Sequence, residues 1–316
     1  MSKQVKYMPN NLRMGGTPLF HGQDTGIAAE PDSVHRVNEQ CVELNAYLNL
    51  THSGVTGYIG MSIIITLCAL IPYILNIGFD NLDFEIIVDL LIVAPVLTFI
   101  AFFFYFLSGA HRCRGTYIRI NRITRKLYFI YPNDLDRLHV LDWGQIEAVA
   151  GYIPIVSPSG YASRHPLYLF GIDHAMDPPT EICAACGNVG VADGDRSARA
   201  LWAYLQAFMA HGPQGLPSPP AVPPRRSRRE ETLAPYREWY AGLHRRLTKP
   251  GGWLWAPITI PLWIGWLLIN AFPDSVEAWL QYNVPYATFP KEIDVLCGFA
   301  EKRKPVIRVN GERIDS

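Results

Sequence analysis

Charge is scarce in this 316-residue chain, and neither sign is in excess. Charged residues make up 18% of it, with 28 Lys and Arg against 28 Asp and Glu. A balanced chain offers no global attraction for nucleic acid, so nucleic acid is not an expected partner. The N-terminus, MSKQVKYMPNNLRMGG, has no apolar core, which argues against a cleavable signal peptide. The six cysteines (Cys41, Cys68, Cys113, Cys183, Cys186, Cys297) do not resemble a secreted disulfide framework, and Cys68 lies within an apolar run. No G-x-S-x-G, phosphate loop or H-E-x-x-H is present, so no catalytic constellation is expected and no cofactor is implied.

Apolar residue types, by contrast, make up 49% of the chain. Gly57 to Ile77 carries no charged residue and at about 1.5 Å per residue reaches roughly 30 Å, a bilayer core. A second apolar run follows from about Ile86 to Leu107. The loop between them holds Asp80, Asp83 and Glu85, whereas Arg112, Arg114, Arg119, Arg122, Arg125 and Lys126 come after the second run. The positive-inside rule therefore predicts a two-helix transmembrane hairpin with both ends in the cytoplasm. Trp253 to Phe272 also has spanning length, but Pro257 and Pro261 interrupt it and cations flank both ends. It is expected to be membrane-associated, as either a span or a re-entrant or interfacial segment. Asp89 lies close enough to the start of the second run to reach the interface, and with no charge facing a plausible pathway within the runs, a transporter acting alone is not expected.

From Thr116 the pattern alternates. Short strands are expected around Tyr117–Asn121, Lys126–Ile130, Arg137–Trp143, Gln145–Ile153, Leu167–Ile172 and Glu181–Val191. An amphipathic helix through Ala200, Leu201, Tyr204, Leu205 and Phe208, capped by Asp195 or Ser197, would stop at Gly212-Pro213. The expected fold class is membrane α+β: the hairpin, a cytoplasmic antiparallel β-barrel or sheet domain closed by one helix and similar to a pleckstrin-homology domain, and the third segment. The expected divisions are a cytoplasmic segment (1–56), the hairpin (57–108), the β-rich domain with its helix (112–213), and a Pro/Arg-rich linker (214–229). A helix (230–252), the third membrane segment (253–272) and a tail (273–316) complete the chain.

Several motifs together carry a resemblance: I-R-I-N-R-x-x-R-K-L-Y-F (Ile118–Phe129), Asp142-Trp143, and L-W-A-Y-L-Q-A-F-M-A-H-G-P (Leu201–Pro213). Following an apolar hairpin, this order is similar to that of an uncharacterised family of proteobacterial membrane proteins, often encoded near type VI secretion effectors and their spike proteins. The likeness runs from about Val37 to Cys297. It implies a context in the inner membrane and no mechanism, and it supplies no catalytic residues.

Among polar features, Cys183-Ala-Ala-Cys186 provides two of the four ligands that tetrahedral zinc needs, with His165 and His174 nearby in sequence. Two small residues in a reduced β-segment is the simpler account. Asp173-His174 and Ser157, Ser159 and Ser163 have no motif to frame them. The basic residues already named, with Arg225, Arg226, Arg228 and Arg229, are the expected membrane-surface cluster, each worth about 1 kcal/mol near anionic lipid. The functional expectation is a non-enzymatic, membrane-anchored interaction protein, an immunity or accessory protein of a type VI secretion locus. Its expected partners are membrane lipid and a toxin or secretion component. The alternatives are a lipid-sensing or membrane-acting enzyme and a subunit of a larger translocation assembly.

Overall fold

The computed structural model describes residues 5–6, 16–47, 56–67, 84–157, 160–187, 194–222, 226–300, 307–309 and 312–314. Two five-stranded sheets form the framework. One has the order β3 (Val34–Val37), β4 (Cys41–Asn45), β5 (Tyr117–Asn121), β6 (Lys126–Tyr131) and β7 (Asp134–Asp142), antiparallel throughout. The other has the order β1 (Val5–Lys6), β12 (Thr180–Cys186), β11 (Leu167–Asp173), β8 (Glu147–Ala150) and β2 (Thr17–Leu19); only the β1–β12 pair is parallel. Two further ladders pair β9 (Ile153–Ser157) with β10 (Gly160–Arg164), and β13 (Ile307–Val309) with β14 (Glu312–Ile314).

Alternation along the strands aims one face of each large sheet at a shared core. Leu44, Ile118, Ile120, Leu127, Phe129 and Leu141 come from the first sheet and meet Leu167, Leu169, Ile182 and Ala184 of the second. One helix (Arg196–His211) closes this core with Leu201, Trp202, Tyr204, Leu205 and Phe208, all fully buried, and it ends at Gly212. Here the motifs that carried the resemblance find their physical role. Trp143 packs on Trp202 with ring centroids 5.3 Å apart. The Asn121 side chain accepts from Ile123 N and Thr124 N, shaping the β5–β6 turn in which Arg125 takes a positive φ of 52°.

Six helices accompany the sheets in the described residues: α1 (Thr56–Leu67), α2 (Phe84–Leu107), α3 (the core-closing helix Arg196–His211), α4 (Arg228–Leu247), α5 (Gly252–Gln281) and α6 (Lys291–Leu296). α5 begins with a 3-10 turn and contains a π-turn at Leu267–Ala271.

The architecture differs from the expected one in three respects. The two sheets stack as separate layers and do not close into a barrel. The N-terminal residues, read as a separate segment, supply β2, β3 and β4; β4 pairs with β5, so α1 and α2 are an excursion between neighbouring strands. The two-helix transmembrane hairpin is not found either. Among the described residues, Gly252–Gln281 is the one helix long and apolar enough to cross a membrane, while Thr56–Leu67 and Val96–Leu107 are shorter apolar stretches. Residues 68–83, with Asp80, Asp83 and the end of the first apolar run, lie outside the described residues. The third segment, extended to 30 residues, is thus the candidate span.

On the outer face of the first sheet, the chain after α5 is fastened by a buried guanidinium. Arg119 Nε donates to Glu43 Oε2 at 2.6 Å and Nη1 to Asp294 Oδ1 at 2.6 Å, while its cation lies 4.1 Å from the Phe289 ring centroid. Burial opposes the Arg119 charge, but the Asp294 and Glu43 carboxylates more than restore it, raising its pKa. Arg36 grips the same Glu43 with both Nε and Nη2. Arg119→Ala would leave Glu43 buried with half its compensation and should cost about 3–5 kcal/mol in denaturant unfolding. The double variant with Glu43→Ala should lose less than the sum of the two single changes.

Candidate membrane face and basic cleft

α4 and α5 form an antiparallel pair that turns at Gly251, whose φ of +77° suits glycine. Ser227 and Glu230 start α4 with a reciprocal capping box. Two indoles tie the helices together: Trp239 Nε1 donates to Trp263 O at 2.6 Å and Trp263 Nε1 donates to Trp239 O at 2.9 Å. Arg246 stacks over Trp263, and Arg228 over Trp279, each at 4.5 Å. The pair is chemically lopsided. α4 carries Arg228, Arg229, Arg237, Arg245 and Arg246 with Glu230, Glu231 and Glu238, and buries none of its residues. α5 exposes Trp253, Leu254, Trp255, Ile258, Leu262, Trp266 and Ile269; Leu254 is 83% exposed. A continuous apolar surface of this kind marks an interaction face.

The other apolar helices join it. Ile59 of α1, Tyr105 of α2 and Ala110 form a cluster against Val276 and Leu280 of α5. Gly60 permits the contact, because a Cβ there would lie 2.5 Å from Pro273 Cα. Phe99, Phe103, Phe104 and Leu107 of α2 point outward, extending the exposed apolar surface.

A cleft of about 710 Å³ opens where these helices meet the first sheet. His35 stacks on Tyr117 at 4.7 Å, and Tyr117 stacks on Tyr286 at 5.0 Å. Arg114 lies over Tyr286 at 5.7 Å, and Arg226 and Glu231 come from the start of α4. The backbone locks this junction: Arg114 N donates to Pro285 O, Ala287 N donates to Gly115 O, and the Tyr282 hydroxyl donates to Arg226 O. Burial, with contributions from the Tyr286 hydroxyl and Glu43, raises the Tyr117 phenol so that it keeps its proton. Burial also holds the His35 imidazole below its ordinary 6.5; Glu43 pulls the other way and Arg36 adds to the effect of burial.

The basic cluster read from the sequence is not one surface. Arg112 and Arg114 sit at the helix end of β5, while Arg122, Arg125 and Lys126 lie at its opposite end, roughly 16 Å along a five-residue strand. Arg119, expected at the lipid surface, is instead the buried tie to Asp294. Arg114 and Arg226, from the two separate runs, share the cleft, and Arg228 and Arg229 begin α4. Arg225 lies outside the described residues.

The other candidates are dispersed. Asp173 pairs with His139, Nδ1 to Oδ2 at 3.0 Å in the buried space by the second sheet, whereas His174 reaches the exposed Gln145. Cys183 and Cys186 are three apart on β12 and therefore leave opposite faces; Cys186 is fully buried and Cys183 is not. No group of metal-ligating side chains is found among the described residues. Sequence reading missed the His35–Tyr117–Tyr286 stack, because its members come from distant stretches with no local pattern.

Gly60→Ala should lower the unfolding free energy by about 1–3 kcal/mol, because the new methyl meets backbone rather than a movable side chain. Gly265→Ala on α5, where a Cβ meets nothing within 4 Å, is the control and should be neutral or stabilising by melting temperature. His35 has a second consequence. Its folded pKa is lowered, so its contribution is present above about 6.5 and is lost as the pH falls below that value. Melts from pH 8 to pH 5 should therefore drop more steeply for the parent chain than for His35→Gln.

Comparison with known proteins finds no match among curated proteins and none among solved structures. A family model does match, over residues 94–294. That stretch covers the end of α2, both sheets from β5 onward, the α4–α5 pair and most of α6. The chain belongs to DUF6708, a family of unknown function.

Proposed function

We propose that this protein is a membrane-anchored interaction protein whose α4–α5 pair lies in the membrane interface, with the sheet domain on the cytoplasmic side of a bacterial inner membrane. The observation that carries this reading is the lopsided chemistry of the pair. At about 45 Å, α5 is longer than a bilayer core is thick. If it crossed, α4 would be drawn in alongside it, placing Arg237 and Glu238 near mid-depth at a cost of about 2.5–3.5 kcal/mol each on insertion scales. Lying in the interface plane instead, α5 sets its apolar face in the acyl boundary while α4 faces headgroups and water. Tryptophan supports the same arrangement, since Trp253, Trp255, Trp263, Trp266 and Trp279 run the length of α5 rather than gathering at two ends. Arg245, Arg246 and Lys249 lie near one end of α5, and Arg226 and Arg228 near the other. The positive-inside rule then keeps both ends in the cytoplasm.

The protein partner is the part of the reading that rests on the resemblance. A setting beside type VI secretion effectors makes a toxin or secretion component the partner to seek, with an immunity or accessory role. A membrane-acting enzyme has less in its favour: Asp173 is engaged by His139, and Cys183 and Cys186 diverge.

Single cysteines at Arg246 and Asn283, in a background without exposed native thiols, should both react with an impermeant maleimide from the cytoplasmic face of inverted vesicles. Labelling from opposite faces would make α5 a full span, and recovery of the chain in the soluble fraction would remove the anchor altogether. Purification from native membranes in mild detergent should yield a near-stoichiometric protein partner. Recovery of lipid alone would sink the interaction role.

A further inference from the structure

The cleft at the base of the helices has a chemistry that anchoring does not require. Arg114 follows the end of α2, Tyr282 and Tyr286 follow the end of α5, and Arg226 precedes α4, so the cleft sits where the helices give way to the sheet. If the helices lie in the interface, that level is the headgroup layer. Neither the Arg114 nor the Arg226 guanidinium forms a salt bridge with any described residue. A guanidinium presents a planar fork of donors that matches phosphate oxygens.

We propose that this cleft binds the phosphate of an anionic lipid headgroup, with Arg114 and Arg226 as the cationic clamp and Tyr117 as a neutral hydrogen-bond donor. The proposal rests on the interfacial reading for its lipid source, while the phosphate chemistry stands on the cleft itself. Its volume of about 710 Å³ is in the range of ligand sites and exceeds what a bare phosphate needs. Glu231, the acidic residue of the lining, would repel a bare anion. Its carboxylate has a role if the headgroup also carries hydroxyls, which it accepts from while the arginines hold the phosphate. The stacked His35, Tyr117 and Tyr286 rings form a rigid wall with little entropy to lose on binding. Basic pockets beside membrane helices recognise headgroups in this way.

The test uses the full chain in neutral maltoside micelles, titrated by calorimetry with short-chain phosphatidylglycerol and, separately, with glycerol phosphate. Saturable binding of the lipid is expected. Arg114→Gln and Arg226→Gln should each weaken it about tenfold or more, as for a lost hydrogen bond to a charged group. Arg229→Gln, a neighbouring exposed cation that does not line the cleft, should leave it unchanged. Arg114→Lys should recover only part of the affinity, since a point charge lacks the fork. Unaltered melting of each variant confirms folding. Equal loss in Arg229→Gln, or no saturation, overturns the site in favour of diffuse attraction. Glycerol phosphate binding as tightly as the lipid overturns the lipid source and leaves a soluble phosphate ester as occupant. Micelles remove any dependence on bilayer insertion, so failure here with intact membrane fractionation rejects the cleft and spares the anchor.

Discussion

A single buried cation holds the two halves of this molecule in register. Arg119 projects from β5 onto the outer face of the first sheet, where Glu43 from β4 and Asp294 from α6 neutralise it. Asn38 and Asn121 complete the seam by donating to the carbonyls of Cys297 and Leu296 at the end of α6. That seam adds to the packing of α5 on α1 and α2 and to the backbone bonds of Pro285 and Ala287 with Arg114 and Gly115. With it, the chain returns from α5 to the sheet at a fixed place, and the helix pair has a defined angle of departure. The apolar packing of Cys41, Tyr128, Ile130, Phe289 and Ile293 around the cation supplies area, and the ion pairs supply position.

The same seam makes the cleft. Pro285 and Tyr286 lie against Arg114 and Gly115 because the residues after them are fixed by Asp294 and Phe289. Tyr286 then completes the stack on Tyr117, the neighbour of Ile118 on the strand that bears Arg119. One strand thus presents both Arg119 and Tyr117 on its outer face, the first to hold the C-terminal segment and the second to the cleft that this segment encloses. Glu43 serves both, since it pairs with Arg119 and biases the titration of His35 and Tyr117.

Much of the β-domain was legible because strands and amphipathic helices write their periodicity locally. β5, β6, β11 and α3 lie where alternation or a helical stripe placed them. Three features were not legible, each for a physical reason. β4 and β5 pair across an excursion of some seventy residues, and register between distant strands leaves no mark within either one. Arg119 looks like any other cation in a basic run, since its counter-charges Glu43 and Asp294 are far away in sequence. The membrane reading erred by the same logic. Runs of apolar residues report that a segment avoids water, but not which of them, among the described residues, forms a helix long and apolar enough to cross a membrane. Two prolines in Trp253–Phe272 suggested interruption, yet Pro257 lies in the first turn of the α-helical stretch, where proline is tolerated, and Pro261 is carried within it.

The interfacial placement proposed for α5 rests on what α4 does to it. Taken alone, α5 satisfies the length and composition of a span. Its neighbour, however, is among the most polar stretches of the chain and is bound to it by paired indole donors and two arginine–tryptophan stacks. Separating the two would leave the Trp239 and Trp263 indole donors to find new partners, at a cost of about 1–3 kcal/mol for each left unmet away from water. Burying them together would carry the eight charged side chains of α4 towards hydrocarbon. The interface avoids both costs, because its depth matches the thickness of one helix and its chemistry changes from apolar to charged over that distance. The helix pair changes in the same direction, from the exposed Leu254 and Leu262 on α5 to the arginines of α4.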